Sequence, residues 1–420
     1  MAMEQVDTVV VGGGQAGIAT SEHLSKLGIE HIVIERDRIA ERWRSCRWDS
    51  LVANGPAWHD RFPNMEFEAD PDAFVSKDRV VEYFEAYARM IKAPIRTGVD
   101  VTSVTPLDGR DGFFLQTTEG DIEARHVVAA TGAFQKPSIP AVLPRDAGPL
   151  QMHSNAYRNA SSLPDGDILV IGGGSSGSQI AMDLMEAGRK VYLSLGPHDR
   201  PPRRYRQRDN VWWLGVLGKW NLDTPHPGTE HVTIAVSGAN GGKTVDFRNL
   251  AAQGLTLLGM TAGYEEGHVL LADDLKRNLD AGDANYLGLL DEADAYIVRH
   301  GLDLPLEPDA RIIPEDSECV TNPSRKLALD GVGAVIWATG YAFDFGWIKA
   351  DSFDSLGRPL HQRGVSDVQG LYFVGLPWQS RRGSSFIWGV WHDAKFVADQ
   401  IAIQRIYAGY QGTAQRILTE

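Results

Sequence analysis

The chain of 420 residues is 43% hydrophobic and 23% charged, which is ordinary for a globular protein and leaves room for roughly two to three domains. It carries 41 basic and 55 acidic residues, a formal net charge of −14, without a long block of like charge, which argues against binding to nucleic acid or to a membrane surface. No run approaches the ~18 apolar residues of a membrane-spanning helix, and the first residues lack the pattern of a signal peptide. The two cysteines, Cys46 and Cys319, form no CxxC motif, and no histidine or cysteine spacing is typical of a metal site. We therefore expect a cytoplasmic protein and propose no metal site.

The first elements in the chain follow a nucleotide-binding pattern. The segment VDTVVVGGGQAGIATSEHLSKLGIEHIVIER predicts a buried strand, a Gly-x-Gly-x-x-Gly turn, a helix and a second strand. In this pattern Gly12 permits the tight turn, Gly14 lets the backbone approach a pyrophosphate, and Gly17 lets the helix pack closely on the strand. The helix begins at Gln15 and Ala16, where unpaired N–H groups and the positive end of the helix dipole face the phosphates.

An acidic residue, Glu35, closes the second strand of this unit. A carboxylate at that place accepts hydrogen bonds from the hydroxyl groups of an adenosine ribose. Since FAD and NAD both have a free 2′-OH, the first unit suits either nucleotide. We include Arg36, which follows Glu35, in the predicted site.

The next part of the chain predicts a helix and a meander. A helix-like stretch covers residues 78–91, and strand-like segments follow at 95–105, 112–118 and 121–129. Turns containing Asp-Gly and Glu-Gly separate these strands, as in an antiparallel meander. The last strand runs into VVAATGAF, and we expect Thr131 and Gly132, which follow it, to contact the first nucleotide.

The pattern of the first unit is repeated at GDILVIGGGSSGSQIAMDLMEAGRKVYLSL. Gly172, Gly174 and Gly177 stand where the first unit has its three glycines, and Ser175 and Ser176 begin the helix. The spacing also matches, because 11 residues separate the third glycine of each motif from the glycine that ends the helix, at 17 to 28 and at 177 to 188. Two nucleotide-binding units in one chain are therefore predicted.

The second unit differs from the first at the end of its second strand. Leu195 replaces the acid, and Arg200, Arg203, Arg204, Arg206 and Arg208 follow. A guanidinium group matches a phosphate in charge and in geometry, so this exchange favours NADPH over NADH. We take Arg203 and Arg204 as the candidates for the 2′-phosphate, and the alternative is that the arginines form a solvated surface loop.

The C-terminal part supplies two more buried strands. AVIWATGY at 334–341 contains Thr339 and Gly340, and GLYFVGLP at 370–377 contains Gly375, all three predicted to bind cofactor. The expected fold class is α/β, with two Rossmann-like dinucleotide-binding domains, the second inserted into the first. The predicted FAD-binding domain covers residues 1–155 and 325–420, and the NADPH-binding domain covers residues 156–324.

Further motifs resemble the flavin-containing monooxygenases, a family of two-dinucleotide-binding flavoproteins. HSNAYR at 153–158 resembles the second half of the family fingerprint F-x-G-x-x-x-H-x-x-x-Y, with His153 and Tyr157 matching. The first half departs from it, because Ala147 and Pro149 occupy the Phe and Gly positions. WATGY at 337–341 is similar to the family's linker motif, and ERW at 41–43 with LVANGP at 51–56 is similar to its FAD-contacting loop.

The resemblance implies the chemistry. FAD is reduced by NADPH and reacts with O2 to a C4a-hydroperoxyflavin, which oxygenates a small-molecule nucleophile at nitrogen or sulfur. On this basis Arg42 and Trp43 contact FAD, and Asn54 is the candidate catalytic residue beside the flavin. His153 and Tyr157 are expected to be structural or to lie near the nicotinamide, and a homodimer is left open.

Three other functions stay open from the sequence. A Baeyer–Villiger monooxygenase shares the cofactors, although its fingerprint ends in Trp where Tyr157 stands. A flavin reductase would pass electrons from NADPH to another acceptor, and the missing CxxC motif removes only the disulfide version. A redox sensor without catalysis would keep both glycine motifs. The tryptophans, at 43, 48, 58, 212, 213, 378, 388 and 391, could line a substrate pocket, but core packing is the simpler interpretation.

Overall fold

A computed structural model describes residues 3–223 and 233–410. Within these ranges the chain has the α/β architecture that was predicted, with two largely parallel sheets. Its strands are β1 Glu4–Val11, β2 His31–Glu35, β3 Ile95–Thr97, β4 Val101–Pro106, β5 Phe113–Thr117, β6 Ile122–Ala129, β7 Lys136–Pro137, β8 Leu150–His153, β9 Asp167–Ile171, β10 Val191–Ser194, β11 Arg204–Tyr205, β12 Arg208–Asp209, β13 Thr256–Leu258, β14 Thr261–Glu265, β15 His268–Leu271, β16 Lys326–Ala328, β17 Val332–Trp337, β18 Tyr341–Ala342, β19 His361–Gln362, β20 Val365–Ser366 and β21 Leu371–Phe373. Its α-helices are α1 Gln15–Lys26, α2 Glu41–Ser45, α3 Lys77–Met90, α4 Ser175–Glu186, α5 Asn210–Val216, α6 Ala239–Gly242, α7 Phe247–Ala252, α8 Leu275–His300, α9 Glu318–Thr321 and α10 Ile387–Gly409.

The first sheet contains the first glycine motif. Its strand order is β19-β20-β21-β6-β1-β2-β3, and β1 pairs in parallel with β2 and β6. Val9 and Val10 of β1 are fully buried, as expected for a parallel strand covered on both faces. Strands β4, β5 and β6 pair antiparallel, as predicted for the meander, but the predicted strand at 95–105 is divided into β4 and β3, which pairs in parallel with β2. The predicted helix at 78–91 is confirmed as α3, whose N-cap Ser76 accepts a hydrogen bond from the backbone N–H of Arg79 at 3.3 Å.

The second sheet contains the second glycine motif. Its strand order is β13-β10-β9-β17-β8, and the strands pair in parallel. Strand β17 lies beside β9, just as β6 lies beside β1, so AVIWATGY is the counterpart of VVAATGAF in the second unit.

This strand pairing corrects the predicted domain boundaries. Residues 150–153 and 332–337 form strands of the second sheet, although both were assigned to the FAD-binding domain. The prediction assigned AVIWATGY to the first domain. Its similarity to VVAATGAF reflects repetition of the whole unit. In chain order the second sheet's strands, within 150–337, lie between those of the first, at 4–129 and 361–373. Residues 411–420 of the predicted first domain lie outside the described ranges.

Other elements surround the two sheets. Helix α1 packs against α10, and the 26-residue helix α8 ends at Gly301, which has a positive φ of 60°. Trp212 and Trp213 pack against Tyr296 of α8 in a separate apolar cluster. Within residues 3–223 and 233–410, no helix is long and apolar enough to cross a membrane.

Candidate functional site

A cavity of about 1620 Å³ lies between the two sheets, at the carboxyl ends of their strands. This edge is where open parallel sheets bind their ligands. Predicted site residues that line the cavity are Gly12, Gly14, Gln15, Ala16, Glu35, Arg36, Arg42, Trp43, Asn54, Thr131, Gly132, Gly172, Gly174, Ser175, Ser176, Thr339, Gly340 and Gly375. Those that do not line it are Gly17, Gly177, Arg203 and Arg204.

The two glycine turns have nearly the same geometry. Gly12 and Gly172 have φ angles of +118° and +113°, which only glycine adopts readily. A Cβ atom on Gly17 would lie 1.8 Å from the carbonyl oxygen of Gly12, and one on Gly177 would lie 1.8 Å from that of Gly172. The third glycine of each motif is therefore needed for close packing, which explains why neither reaches the cavity.

The middle glycines border the cavity. A Cβ atom on Gly14 would meet no atom within 4 Å, so this position is open to a bound group. On Gly174 a Cβ atom would lie 3.3 Å from Cγ2 of Thr233. Helices α1 and α4 begin directly after these glycines, and their first N–H groups are available to phosphates.

Glu35 lies where β2 ends beside the first glycine turn, and we call this predicted position of the ribose the ribose corner. Its Oε2 accepts a hydrogen bond from the backbone N–H of Gly13 at 2.6 Å, and its Oε1 accepts one from Asp37 at 2.9 Å. These bonds fix the carboxylate at the mouth of the first glycine turn. The neighbouring Arg36 lies 3.4 Å from the carboxylate of Asp37. The residues present fit an adenosine ribose with a free 2′-OH.

The loops after β6 and β17 approach the two turns in the same way. A Cβ atom on Gly12 would lie 2.6 Å from the carbonyl oxygen of Ala130, and one on Gly172 would lie 2.4 Å from that of Ala338. Thr131 and Thr339, which follow these alanines, are both fixed by hydrogen bonds. Oγ1 of Thr131 accepts from Gln135 at 2.9 Å, and Oγ1 of Thr339 donates to the carbonyl of Ser138 at 2.5 Å.

Helix α2 brings the predicted FAD-contacting side chains to the first unit. Arg42 donates to the carbonyl oxygen of Gln135 at 2.8 Å. Arg47 lies 5.0 Å from the ring centre of Phe134 and 5.7 Å from that of Trp43. These contacts join α2 to the loop after β6 and close one wall of the cavity.

Asn54 lies in the loop after α2 and is held by two residues of the second unit. Its side-chain Oδ1 accepts a hydrogen bond from Nε2 of Gln179 on α4 at 2.8 Å, and its backbone carbonyl accepts one from Arg203. Among the residues that the structure describes, its Nδ2 group has no hydrogen-bond partner. The amide of Asn54 is therefore positioned through its oxygen, and its NH2 group is free to donate to a bound molecule.

His153 and Tyr157 both form hydrogen bonds inside the protein and do not line the cavity. Nε2 of His153 donates to the carbonyl oxygen of Gly340 at 2.9 Å, while its Nδ1 accepts from the backbone N–H of Asn155 at 3.2 Å. Burial lowers the pKa of His153, which favours this neutral form. Tyr157 is fully buried and donates to Asp183 of α4 at 2.5 Å.

The chain is similar in sequence and in fold to several known proteins. A family model described as pyridine nucleotide-disulphide oxidoreductase matches residues 9–207. The CzcO-like oxidoreductase of Geobacillus kaustophilus is 32% identical over 400 residues, which cover 94% of this chain and 98% of that protein. Indole-3-pyruvate monooxygenase YUCCA1 of Oryza sativa is 31% identical over 187 residues, 43% of this chain and 46% of the rice protein. The solved structure of a flavin-containing monooxygenase from Stenotrophomonas maltophilia has the same fold, with a TM-score of 0.67 at 18% identity over 96% of this chain and 99% of that one.

The chain belongs to the family of the CzcO-like oxidoreductases. Its ribose corner in the second unit differs from that of the first. Leu195 occupies the place of Glu35, since a Cβ atom on Gly173 would lie 2.4 Å from Leu195, as one on Gly13 would lie 2.8 Å from Glu35. However, the Leu195 side chain is fully buried in the core of the second unit, so it leaves no polar group at this corner.

The arginines predicted to bind the 2′-phosphate are engaged elsewhere in the fold, and that part of the prediction is corrected. Arg203 is 1% exposed and forms a buried ion pair with Asp209. Arg204 is exposed and donates to the carbonyl oxygen of Gly241 at 3.1 Å. The other three are likewise engaged: Arg200 with Asp283, Arg206 with Asp294, and Arg208 over the ring of Trp212. None of the five is among the described residues that line the cavity. Spacing along the chain placed them close to Leu195, but the hairpin of β11 and β12 carries them away from it.

Sequence reasoning missed several groups that line the cavity. Asp60 accepts a hydrogen bond from the backbone N–H of Gly55 at 2.9 Å and bonds Nδ1 of His59 at 2.8 Å, which braces the loop beside Asn54. Gln179 and Arg382 also line the cavity. The signal for Gln179 was its place on the first turns of α4, and the signal for Arg382 was the basic pair in SRRGSS near the end of the chain.

The tryptophans named in the sequence analysis divide into two groups. Trp43, Trp48 and Trp378 line the cavity, as do Trp337 and Trp347, which the sequence analysis did not name. The remaining ones lie away from it and contact other aromatic rings: Trp58, Trp212, Trp213, Trp388 and Trp391. Core packing holds for Trp213, which is fully buried, whereas Trp58 is exposed.

Proposed function

We propose that the chain is an FAD-dependent monooxygenase that takes electrons from NADPH and transfers one oxygen atom of O2 to a small-molecule nucleophile, at nitrogen or sulfur. The observation that supports this most strongly is the placement of Asn54 between two glycine turns that open into one cavity. A flavin on the first turn and a nicotinamide on the second would both reach the neighbourhood of that side chain.

The first unit fits FAD on geometric grounds. Gly14 leaves open space where a pyrophosphate would pass, α1 presents its N-terminus there, and Glu35 is fixed at the ribose position. Bound FAD would supply hydride acceptance and the reaction with O2.

Side chains of the protein would then donate a hydrogen bond at the reacting centre and keep water away from it. Oδ1 of Asn54 is fixed by Gln179, so Nδ2 can donate a hydrogen bond without a change of charge at the reacting centre. Trp43, Trp48 and Trp378 form apolar parts of the wall and reduce access of water. The second unit fits a nicotinamide dinucleotide through the open N-terminus of α4, where Ser175 is held by a 2.7 Å bond to the carbonyl oxygen of Ile234.

The test is oxygen transfer from ¹⁸O2. Purified protein with FAD and NADPH is given a thioether, a tertiary amine or a cyclic ketone, and product mass, NADPH use and H2O2 are measured together. We expect one ¹⁸O atom in a sulfoxide or an N-oxide. Conversion of the ketone to a lactone would identify a Baeyer–Villiger enzyme instead. NADPH oxidation that reduces a quinone without oxygenated product would identify a reductase.

A further inference from the structure

Arg382 has no assigned role in the proposed reaction, yet it lines the cavity. It lies in the segment between β21 and α10, and its backbone N–H donates to the carbonyl oxygen of Leu222 at 2.9 Å. Its side chain is half-buried and has no hydrogen bond or ion pair with any residue in the described ranges. The neighbouring Arg381, by contrast, donates to Asn221 at 3.1 Å and does not line the cavity.

The surroundings of Arg382 belong to the second unit. The charged group that acts on it is Asp199, in the loop after β10. Asp199 is joined by backbone hydrogen bonds to Thr233 and Ala235, on either side of Ile234. The carbonyl oxygen of Ile234 in turn accepts the bond from Ser175 at the start of α4. Arg382 therefore lies near the loop and the helix end that would hold a nicotinamide dinucleotide.

The other cationic side chains along the cavity lie on the side of the first unit and are engaged. They are Arg36 beside Asp37, Arg42 on the carbonyl of Gln135, Arg47 over Phe134, and Arg358 with Asp354. The internal stretch outside the described ranges, residues 224–232, contains no lysine or arginine. Since the arginines at 200–208 are also engaged, Arg382 is the cation beside the second unit, among the described residues that line the cavity, that is free to meet an anion.

We propose that Arg382 binds a phosphate of the nicotinamide dinucleotide donor, either the 2′-phosphate of NADPH or the pyrophosphate. This inference rests on the proposed function, because it requires such a donor in the second unit. A planar guanidinium group stays charged and can bind a phosphate with two hydrogen bonds. Burial lowers the pKa of Arg382, which indicates a charge that lacks full compensation in the free protein.

The experiment measures binding by calorimetry to the FAD-containing protein, in wild type, Arg382→Ala, Arg382→Lys and the matched control Arg381→Ala. The probes are NADP⁺, NAD⁺ and 2′,5′-ADP. Loss of a charge-assisted hydrogen bond predicts a Kd that rises roughly tenfold to a hundredfold in Arg382→Ala. Arg382→Lys should restore part of the affinity, and Arg381→Ala should bind as the wild type does.

The probes distinguish the two phosphates. Weaker binding of NADP⁺ and 2′,5′-ADP with unchanged NAD⁺ identifies the 2′-phosphate, whereas equal weakening of NADP⁺ and NAD⁺ identifies the pyrophosphate. Unchanged affinity for all three probes in a folded Arg382→Ala protein overturns the inference and leaves the proposed function intact. If the wild type binds neither NADP⁺ nor NAD⁺, the proposed donor is wrong and the inference falls with it.

Discussion

Asn54 is the residue on which the catalytic part of the proposal depends. Its Oδ1 is occupied by Gln179, so its amide is oriented before any ligand arrives. Preorganised donors of this kind stabilise developing charge because they need no rearrangement during the reaction. The sequence indicated Asn54 through its match to a family loop, whereas its partner on α4 could not be predicted, because the two residues are 125 positions apart.

We predict that Asn54→Leu uncouples NADPH use from oxygenation. The variant keeps the branching of the side chain at Cγ but loses the hydrogen-bond donor. Loss of such a donor commonly costs a few kcal/mol, or roughly a hundredfold in the step it serves. The measurement is the ratio of H2O2 to oxygenated product per NADPH consumed, at matched FAD content. Asn54→Gln is the control for an amide at the same position. An unchanged ratio in Asn54→Leu would show that Asn54 serves only as a loop residue.

Arg203 shows how a sequence argument can select the right residue type at the wrong place. Its guanidinium group is buried against Asp209 and lies 4.9 Å from the ring centre of Phe74. We therefore predict that Arg203→Ala destabilises the fold by about 3 to 5 kcal/mol, because it leaves the carboxylate of Asp209 buried without its partner. Urea unfolding of Arg203→Ala and of exposed Arg204→Ala measures the difference, and the second variant should unfold close to wild type.

The same two variants test the corrected assignment. Neither should change the ratio of kcat/KM for NADPH to that for NADH, since neither side chain lines the cavity. A fall in NADPH preference in Arg204→Ala would restore the original interpretation of the basic loop.

At the scale of elements, the glycine turns were the most predictable part of the molecule. Local sterics dictate them: a positive φ at Gly12 and Gly172, and a backbone contact that excludes any side chain at Gly17 and Gly177. The position of β17 was not predictable in this way. Its apolar sequence suits either sheet, and pairing with β9 rather than with the first sheet is a long-range choice.

We predict that Gly14→Val yields a folded protein that is largely colourless. The backbone of Gly14 is extended, with φ of −89°, and a Cβ atom there would meet no protein atom within 4 Å. The substitution should therefore weaken nucleotide binding and leave the fold intact. The flavin absorbance relative to protein absorbance, together with circular dichroism, measures both effects. Gly215→Ala, in α5 and also without neighbours within 4 Å, should stay yellow. Full FAD occupancy in Gly14→Val would reject the first turn as the flavin site.

At the scale of the whole molecule, buried histidines make the fold sensitive to acid. Burial lowers the pKa of His31, His126, His153 and His198, and it lowers that of His23 to about 4. These pKa values lie below the ordinary value of 6.5 that applies to the unfolded chain. The unfolded state therefore binds more protons than the folded state as the pH falls through this window. The contribution of these histidines to the free energy of unfolding is fully present above pH 6.5 and is lost between pH 6.5 and 4.

We predict that His23→Gln reduces this loss. The neutral amide can still donate to the carbonyl oxygen of Trp391, as His23 does at 3.0 Å, but it cannot gain a proton. The contribution of His23 to the pH dependence amounts to as much as about 3 kcal/mol between pH 6.5 and 4. Urea unfolding at pH 7.5 and pH 4.5 measures it, with the half-buried His268→Gln as the control. An equal pH dependence in wild type and His23→Gln would contradict the assignment.

The double attachment of Asn54 has a consequence for communication between the two units. Gln179 lies on the helix whose N-terminus faces the proposed donor site, and its hydrogen bond means that a shift of α4 would displace the loop beside the proposed flavin site. Thermodynamic linkage then applies. If a bound nicotinamide dinucleotide changes the affinity of the first unit for its nucleotide, that nucleotide must change the affinity for the dinucleotide by the same factor. The hydrogen bond from Gln179 would thus carry part of any cooperativity between the two nucleotides, and its loss in Gln179→Leu should bring their binding energies closer to additive.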